Sequence, residues 1–298
     1  MLTSYRAVIE KAKEAGGKKI AIAGAEGTAV LEAVKNAKNL GIMEPILVGN
    51  VDKIKDIAKK VDFDLSGITS HQASSDEESA SIAVDLLHNN TADGLMKGKV
   101  STPTVLKAVL NKKEDILRGT LLSHIALLEV PTYHKLLMST DGGMVIRPTL
   151  EQKVGILKNG IHMMHKLGVE KPKVAILAAI ETVNPDMPET VDAEKLVHMA
   201  HAGEFGNAEV EGPLALDVAF SPEAARIKGV DSHITGDPDI LLMPDIASGN
   251  ILGKGLWHLA KAKIGGLILG AKKPIILLSR SDDAETKVNS IALGVVTS

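Results

Sequence analysis

The stretch Lys18–Gly49, KKIAIAGAEGTAVLEAVKNAKNLGIMEPILVG, decides the architecture. KKIAIAG at Lys18–Gly24 reads as a buried strand, Thr28–Gly41 as a helix and PILVG at Pro45–Gly49 as a second strand. Two strands joined through a helix pair in parallel, so this unit predicts an α/β protein with mostly parallel sheets. The alternation continues outward. Val51–Lys60 and Glu77–His88 read as helices and Ala92–Met96 as a short strand. Val130–Thr140, Lys173–Ile180, Asp239–Met243, Gly266–Gly270 and Pro274–Leu278 are further apolar runs bounded by Gly or Pro. Helical spacing is clearest over Leu150–Leu167, Asp192–Ala202, Pro222–Lys228 and Ile251–Lys263.

The chain has 298 residues, enough for about two domains and a sizeable core. No linker, repeat or low-complexity tract separates them, so the boundary must be a crossing point. The expected crossings lie near Glu129–Pro131 and Lys272–Pro274. Residues 1–129 with 273–298 then form the first α/β domain, 130–272 form an inserted second one, and a cleft between them is a usual place for a ligand.

Composition excludes several classes. Hydrophobic residues are 45% and charged residues 24%, ordinary for a globular protein. Aromatics are 2%, with Trp257 the sole tryptophan, which argues against stacking on nucleic-acid bases. A net charge of −3 gives no general attraction to nucleic acid or to an anionic membrane, so an anionic ligand needs a local cluster. There is no cysteine, hence no disulfide, Cys nucleophile or thiolate metal site, and the cytoplasm is the expected compartment. The charged start MLTSYRAVIEKAKEAGGKK predicts no secretory signal, and no apolar run is long enough to span a membrane.

Four segments could carry chemistry. In Met96–Pro103, MKGKVSTP, a strand ends in Lys97-Gly98-Lys99 and a helix begins, with Thr102 suited to the N-cap and Pro103 to the first turn. Two ammonium groups, the Ser101 hydroxyl and free N–H groups would hold an anion there. Leu122-Ser123-His124-Ile125 lacks a nucleophile elbow and reads first as a satisfied polar pair at a strand edge. Glu211–Asp217 and Pro244–Asn250 each put a carboxylate near the end of an apolar strand, where open α/β sheets bind ligands. Asp217, Asp245, Ser248 and Asn250 are the candidates; satisfying turn and helix-terminus donors is the alternative for Asp245 and Ser248. Last, Leu278–Glu285, LSRSDDAE, puts Ser279 and the phosphate-suited fork of Arg280 after a strand, with Asp282 and Glu285 at capping-box spacing. None of the 10 histidines has metal-ligand spacing, His162 and His165 included, so no metal is expected. Gly24-Ala25-Glu26-Gly27 lacks the dinucleotide fingerprint.

Together the segments resemble one family over nearly the whole chain, the phosphate acetyl/butyryl transferases or phosphotransacylases. Lys97-Gly98-Lys99-Val100-Ser101, Leu122-Ser123-His124, Val183–Pro188 (VNPDMP), Gly212–Asp217 (GPLALD), Pro244–Asn250 (PDIASGN) and Ser279–Asp282 (SRSD) carry the resemblance. VNPDMP and GPLALD look more like the butyryl than the acetyl branch. The resemblance implies two α/β/α domains with a central cleft, similar to the isocitrate/isopropylmalate dehydrogenases, in a homodimer. It implies reversible transfer of a short acyl group, butyryl or branched, between CoA and inorganic phosphate, with acetyl as the alternative and no tightly bound cofactor. A non-catalytic acyl-CoA sensor and an NAD-dependent dehydrogenase of the same fold are readings from other classes.

In the acetyl branch the Ser-Arg pair matching Ser279 and Arg280 lies at the CoA and phosphate site, and a catalytic Asp follows. Here that position is Thr286, with Glu285 beside it. Lys107 loosely matches an Arg of that branch, and Asp141–Val145, DGGMV, departs from the pattern usual in the butyryl branch. The resemblance makes the CoA thiol the expected nucleophile. Lys97, Lys99, Ser101, Thr102, Ser123, His124, Ser248 and Asn250 are then expected to bind substrate, and Ser279, Arg280, Glu285, Asp217 and Asp245 to act in catalysis. Glu285, Asp217, Asp245 and His124 stand as alternative bases.

Overall fold

The computed structural model describes residues 3–111, 116–119, 121–277 and 282–298. The chain forms two compact units, one built on Gly119–Ile264 and the other on Tyr5–Arg118 with Gly265–Ser298. The crossings therefore fall at 118/119 and 264/265, ahead of the positions expected at 129/130 and 272/273.

The unit containing Tyr5–Arg118 begins with α1 (Tyr5–Ala15), β1 (Lys19–Ala23), α2 (Thr28–Asn39), β2 (Glu44–Gly49) and α3 (Val51–Lys60). It continues with β3 (Thr69–Gln72), α4 (Asp76–His88), β4 (Gly94–Lys97) and α5 (Thr102–Asn111). Its sheet runs β3-β2-β1-β4 and is completed by strands from the chain's return, β11 (Ile275–Leu277) beside β4 and β10 (Lys263–Leu269) beyond it. Every pairing from β3 to β11 is parallel; β10 meets β11 antiparallel. Helices cover the sheet, so Ile20–Ala23 and Leu95–Met96 are buried and read as unbroken apolar runs, and Lys97 at the end of β4 is buried too. Burying Ile20 or Ile22 contributes about 1.5–3 kcal/mol each. The last helix, α11 (Ala284–Thr297), packs on α1, α2 and β11.

The other unit contains β5 (Ser123–Glu129), β6 (Leu136–Thr140), α6 (Leu150–Lys166), β7 (Lys173–Leu177), α7 (Pro188–His201) and β8 (Glu209–Leu214). It closes with α8 (Leu216–Phe220), α9 (Pro222–Lys228), β9 (Ile240–Leu242) and α10 (Ile246–His258). The sheet order is β5-β6-β9-β7-β8, parallel except for β5 against β6. Leu128, Leu137, Leu177, Leu241 and Val218 centre its core.

Two expectations are corrected, and one strand is added. The run Val130–Thr140 is a hairpin turn followed by the second hairpin strand: Tyr133 N–H donates to Val130 O, and the ladder begins again only at Leu136. Pro131 has no N–H to continue a ladder, so the apolar composition misled there. The helix expected over Ile251–Lys263 begins at Ile246, because Asp245 and Ser248 cap it, and it ends at His258, with Lys263 already in β10. The strand Thr69–Gln72 was not read at all; it is a polar edge strand largely exposed to solvent.

Candidate active site

The first site grows from strand order. β2 lies on one side of β1 and β4 on the other, so the loops after β1 and β4 diverge from neighbouring strand ends, a topological switch point. Lys97 ends β4 in register with Ala23 of β1 and Leu277 of β11. Gly98 N–H donates to Ala23 O at 2.8 Å and Lys99 N–H to Gly24 O at 2.7 Å, which ties the two loops together. Only glycine fits at 98: a Cβ would collide with Gly24 O and stand 2.8 Å from Ala23 O.

Beside these loops is a cavity of about 680 Å³, lined by Glu26, Gly27, the first residues of α2, Asp76, Lys97, Gly98, Lys99 and Lys287. Lys97 is buried and its ammonium donates to Gly98 O, while Lys99 is exposed. The N-cap of α2 is Gly27, with no side-chain cap, and no acidic residue follows in the first turn. The positive end of that helix is therefore left for a ligand. Lys97 and Lys99 both line this cavity.

Ser101 and Thr102 exchange their expected roles. Ser101 Oγ accepts from Thr104 N–H at 3.2 Å and Val105 N–H donates to Ser101 O, so Ser101 is the N-cap of α5 and Thr102 its first residue. Pro103 then occupies the second helical position, where a missing N–H still costs nothing. The same one-residue shift occurs at α11: Asp283, not Asp282, caps it, accepting from Thr286 N–H at 2.7 Å. Glu285 lies exposed in the first turn of α11. Ser279 and Arg280 lie outside the described residues.

In the other unit a second group gathers at the ends of β6 and β9. Thr140 and Leu242 are in register, and Thr140 pairs with Ile125 across the hairpin. His124, the turn after Thr140 and the start of α10 thus meet at one edge. Asp141 is buried; its carboxylate accepts from the N–H groups of His124 at 2.9 Å and of Gly143 and Met144 at 2.8 Å. His124 Nδ1 is buried without a hydrogen-bond partner. Burial pushes the His124 imidazole below its usual range, against the opposing pull of the Asp141 charge, so it is neutral near pH 7.

Ser123 is fully buried, and its Oγ accepts from Asn159 Nδ2 at 3.0 Å. Asp245 and Ser248 form the capping box of α10. The Ser248 N–H and hydroxyl hold the Asp245 carboxyl below its usual range. Asn250 Nδ2 donates to Gly142 O at 3.2 Å. Asp217 is not with them: it lies in α8 after β8, paired with Lys228, which also binds Glu181. The Lys228 hydrogen bond lowers the Asp217 pKa.

Three residues escaped the sequence reading of the sites. Glu26 and Lys287 line the lysine cavity, and Asp141 organises the turn at His124. Glu26 sat in a glycine loop tested only against a dinucleotide pattern, and Lys287 carries no motif. Asp141 was visible only as a departure from the butyryl pattern. Among the described residues no cluster of His, Cys, Asp or Glu could hold a metal, and no helix is long and apolar enough to cross a membrane.

The family described as "Phosphate acetyl/butaryl transferase" matches residues 4–83 and 73–295. A phosphate butyryltransferase of Clostridium acetobutylicum is 41% identical over 296 residues, 99% of this chain and 98% of that protein. A phosphate acetyltransferase of Thermotoga maritima is 40% identical over 280 residues, covering 94% and 95%. The crystal structure of a branched-chain phosphotransacylase from Enterococcus faecalis superposes with a TM-score of 0.83 at 34% identity, covering 94% of this chain and 98% of that one. With a switch-point lysine loop in one unit, a buried His–Asp turn in the other and likeness along nearly its whole length, this chain belongs to the phosphate acetyl/butyryl transferase family.

Proposed function

We propose that the protein transfers a butyryl or branched short-chain acyl group reversibly between CoA and inorganic phosphate. The observation that carries this reading is the switch-point cavity, which gathers Lys97, Lys99 and a helix N-terminus without a side-chain cap, a setting suited to an anion. Likeness to a butyryltransferase and to a branched-chain phosphotransacylase supports the acyl class. Acetyl transfer is the second reading, favoured by the 40% identity to the Thermotoga enzyme.

In this reading Lys97, Lys99 and the N-terminus of α2 neutralise the phosphoryl group, and Ser101 and Thr102 keep the binding role that the resemblance gives them. The CoA thiol attacks the acyl carbon and phosphate departs. A free thiol of pKa about 8.5 is mostly protonated at neutral pH, so a base assists. Glu285, Asp217, Asp245 and His124 are the four candidates, and burial keeps the His124 ring neutral. Asp217 is held by Lys228 and Asp245 by its cap, which leaves them structural work. Ser279, Arg280 and Glu285 keep the roles that the resemblance gives them, while Ser123, Ser248 and Asn250 shape the His124 edge. The reading includes the dehydrogenase-like two-domain architecture, a cytoplasmic homodimer and CoA as substrate without a tightly bound cofactor.

The test is phosphate-dependent thiol release from acetyl-, butyryl- and isobutyryl-CoA. Phosphate-dependent release is expected, with butyryl- or isobutyryl-CoA favoured in kcat/KM by about tenfold or more over acetyl-CoA. Release without phosphate, or tight CoA binding without release, would sink the transferase reading. A preference for acetyl-CoA would sink only the acyl assignment.

A further inference from the structure

Gly24 stands where the two loops of the lysine cavity cross. Its N–H donates to Val48 O near the end of β2 at 2.9 Å and to the Ser79 hydroxyl at 2.7 Å. Its carbonyl accepts from the Lys99 N–H at 2.7 Å. Gly24 has φ +70, and a Cβ there would stand 2.5 Å from Val100 Cγ2 and 2.8 Å from Val100 N. The chain then passes through Ala25 and Glu26 to Gly27, where α2 begins without a side-chain cap. One residue thus joins two parts of the cavity lining, the start of α2 and the loop that carries Lys99.

Ser79 reaches Gly24 from outside the sheet, 55 residues along the chain. It lies in α4, which packs on β1 and β2, and it is buried. Its Oγ accepts from the Gly24 N–H and donates its own proton to Val48 O at 3.0 Å. The buried neighbours Ala80 and Ala83 pack with methyl groups alone. Burying a hydroxyl offsets much of what its hydrogen bonds return, so the tie adds little stability. What it adds is position: Gly24 is held to α4 and β2 at once, and the Lys99 N–H is held to Gly24. Closed to solvent, Ser79 does not touch a ligand in the cavity.

We propose that Ser79 is a positioning residue for phosphate, fixing through Gly24 the start of α2 against the loop that carries Lys99. This rests on the reading of the cavity as the phosphate site.

The test uses the full-length protein as wild type, Ser79→Ala, Ser79→Thr and Lys99→Ala. Phosphate-dependent thiol release gives KM for phosphate and for the preferred acyl-CoA, equilibrium binding of inorganic phosphate is measured directly, and urea midpoints report stability. In Ser79→Ala the KM for phosphate should rise about 3- to 10-fold and direct phosphate binding should weaken in step, with the KM for acyl-CoA little changed. Ser79→Thr keeps the hydroxyl and should stay nearer the wild type. Should its extra methyl prevent folding, direct phosphate binding to Ser79→Ala decides alone. If Ser79→Ala shifts the urea midpoint but leaves phosphate binding at the wild-type value, or raises both KM values alike, the positioning role is overturned. Weaker phosphate binding in Lys99→Ala beside an unchanged Ser79→Ala would overturn that role and leave the cavity as the phosphate site. If Lys99→Ala also binds phosphate as the wild type does, the cavity reading falls and the proposal with it.

Discussion

At the scale of single residues, the lysine loop depends on how closely two backbones approach. A Cβ at Gly98 would meet the carbonyl oxygens of Gly24 and Ala23, and neither belongs to a side chain that can swing away. Gly98→Ala should therefore cost about 1–3 kcal/mol of stability and depress turnover, because the loop carrying Lys97 and Lys99 must shift. Chemical denaturation and steady-state kinetics on one preparation check both; wild-type values for both would remove the close approach from the argument. His124 carries a pH signature. Burial lowers its pKa from the ordinary 6.5, so the unfolded chain binds the proton more readily than the folded one. The stabilisation from the neutral ring is complete above about pH 6.5 and is lost as pH falls through the lowered value. Urea midpoints at about pH 7.5 and about pH 5.5 should separate less in His124→Asn than in the wild type. An equal separation would mean that some other group sets the slope.

At the scale of elements, helix starts lie at strand ends and their caps hold the site loops. Ser101 caps α5 directly after the lysine loop, so Ser101→Ala should lose about 1 kcal/mol, whereas Thr102→Ala should lose much less. The reverse order in thermal melts would restore Thr102 to the cap. At α10 the capping box ties Asp245 to Ser248. Asp245→Asn keeps a capping acceptor and should stay within about 0.5 kcal/mol of the wild type, while Asp245→Ala should lose about 1–2 kcal/mol. A loss of turnover in Asp245→Asn with stability preserved would return Asp245 to the list of bases.

At the scale of the whole molecule, each unit keeps its candidate residues at the carboxyl ends of parallel strands and its structural charges elsewhere. In the unit built on Gly119–Ile264, the opposite edge holds a charge knot. Lys135 is buried and reaches Asp237 at 2.8 Å and Asp239 at 2.7 Å, the latter an ion pair without hydrogen-bond geometry. Lys173 and His134 also bind Asp237. Burial pushes the Asp237 carboxyl up, but hydrogen bonds from Lys135, Lys173 and His134 outweigh it and leave the group well below the usual range. Lys135→Met would strand Asp239 as an uncompensated buried charge, and about 3–5 kcal/mol should be lost. Adding Asp239→Asn should recover part of that loss, as read from denaturant midpoints; no recovery would mean that the packing of Lys135 matters more than its charge.

The strand–helix–strand reading of Lys18–Gly49 survives almost residue for residue, because apolar runs and helical spacing are local and a parallel sheet buried on both faces demands them. The lysine loop was legible for the same reason: a strand end, a glycine and a cap lie within a few consecutive residues. Thr69–Gln72 was not legible, since an exposed edge strand needs no apolar pattern and is fixed only by pairing with β2. Nor was the hairpin inside Val130–Thr140, where a turn interrupts an apolar composition. By itself, then, the sequence determined the α/β class, the family and the course of the lysine loop, all of which rest on neighbours along the chain. Only the tertiary structure decided that Asp217 and Asp245 are engaged elsewhere, that Asp141 organises the turn at His124 and that Glu26 and Lys287 line the lysine cavity. Those facts depend on which strands lie side by side, and a strand order of β3-β2-β1-β4-β11 brings together residues that the chain keeps far apart.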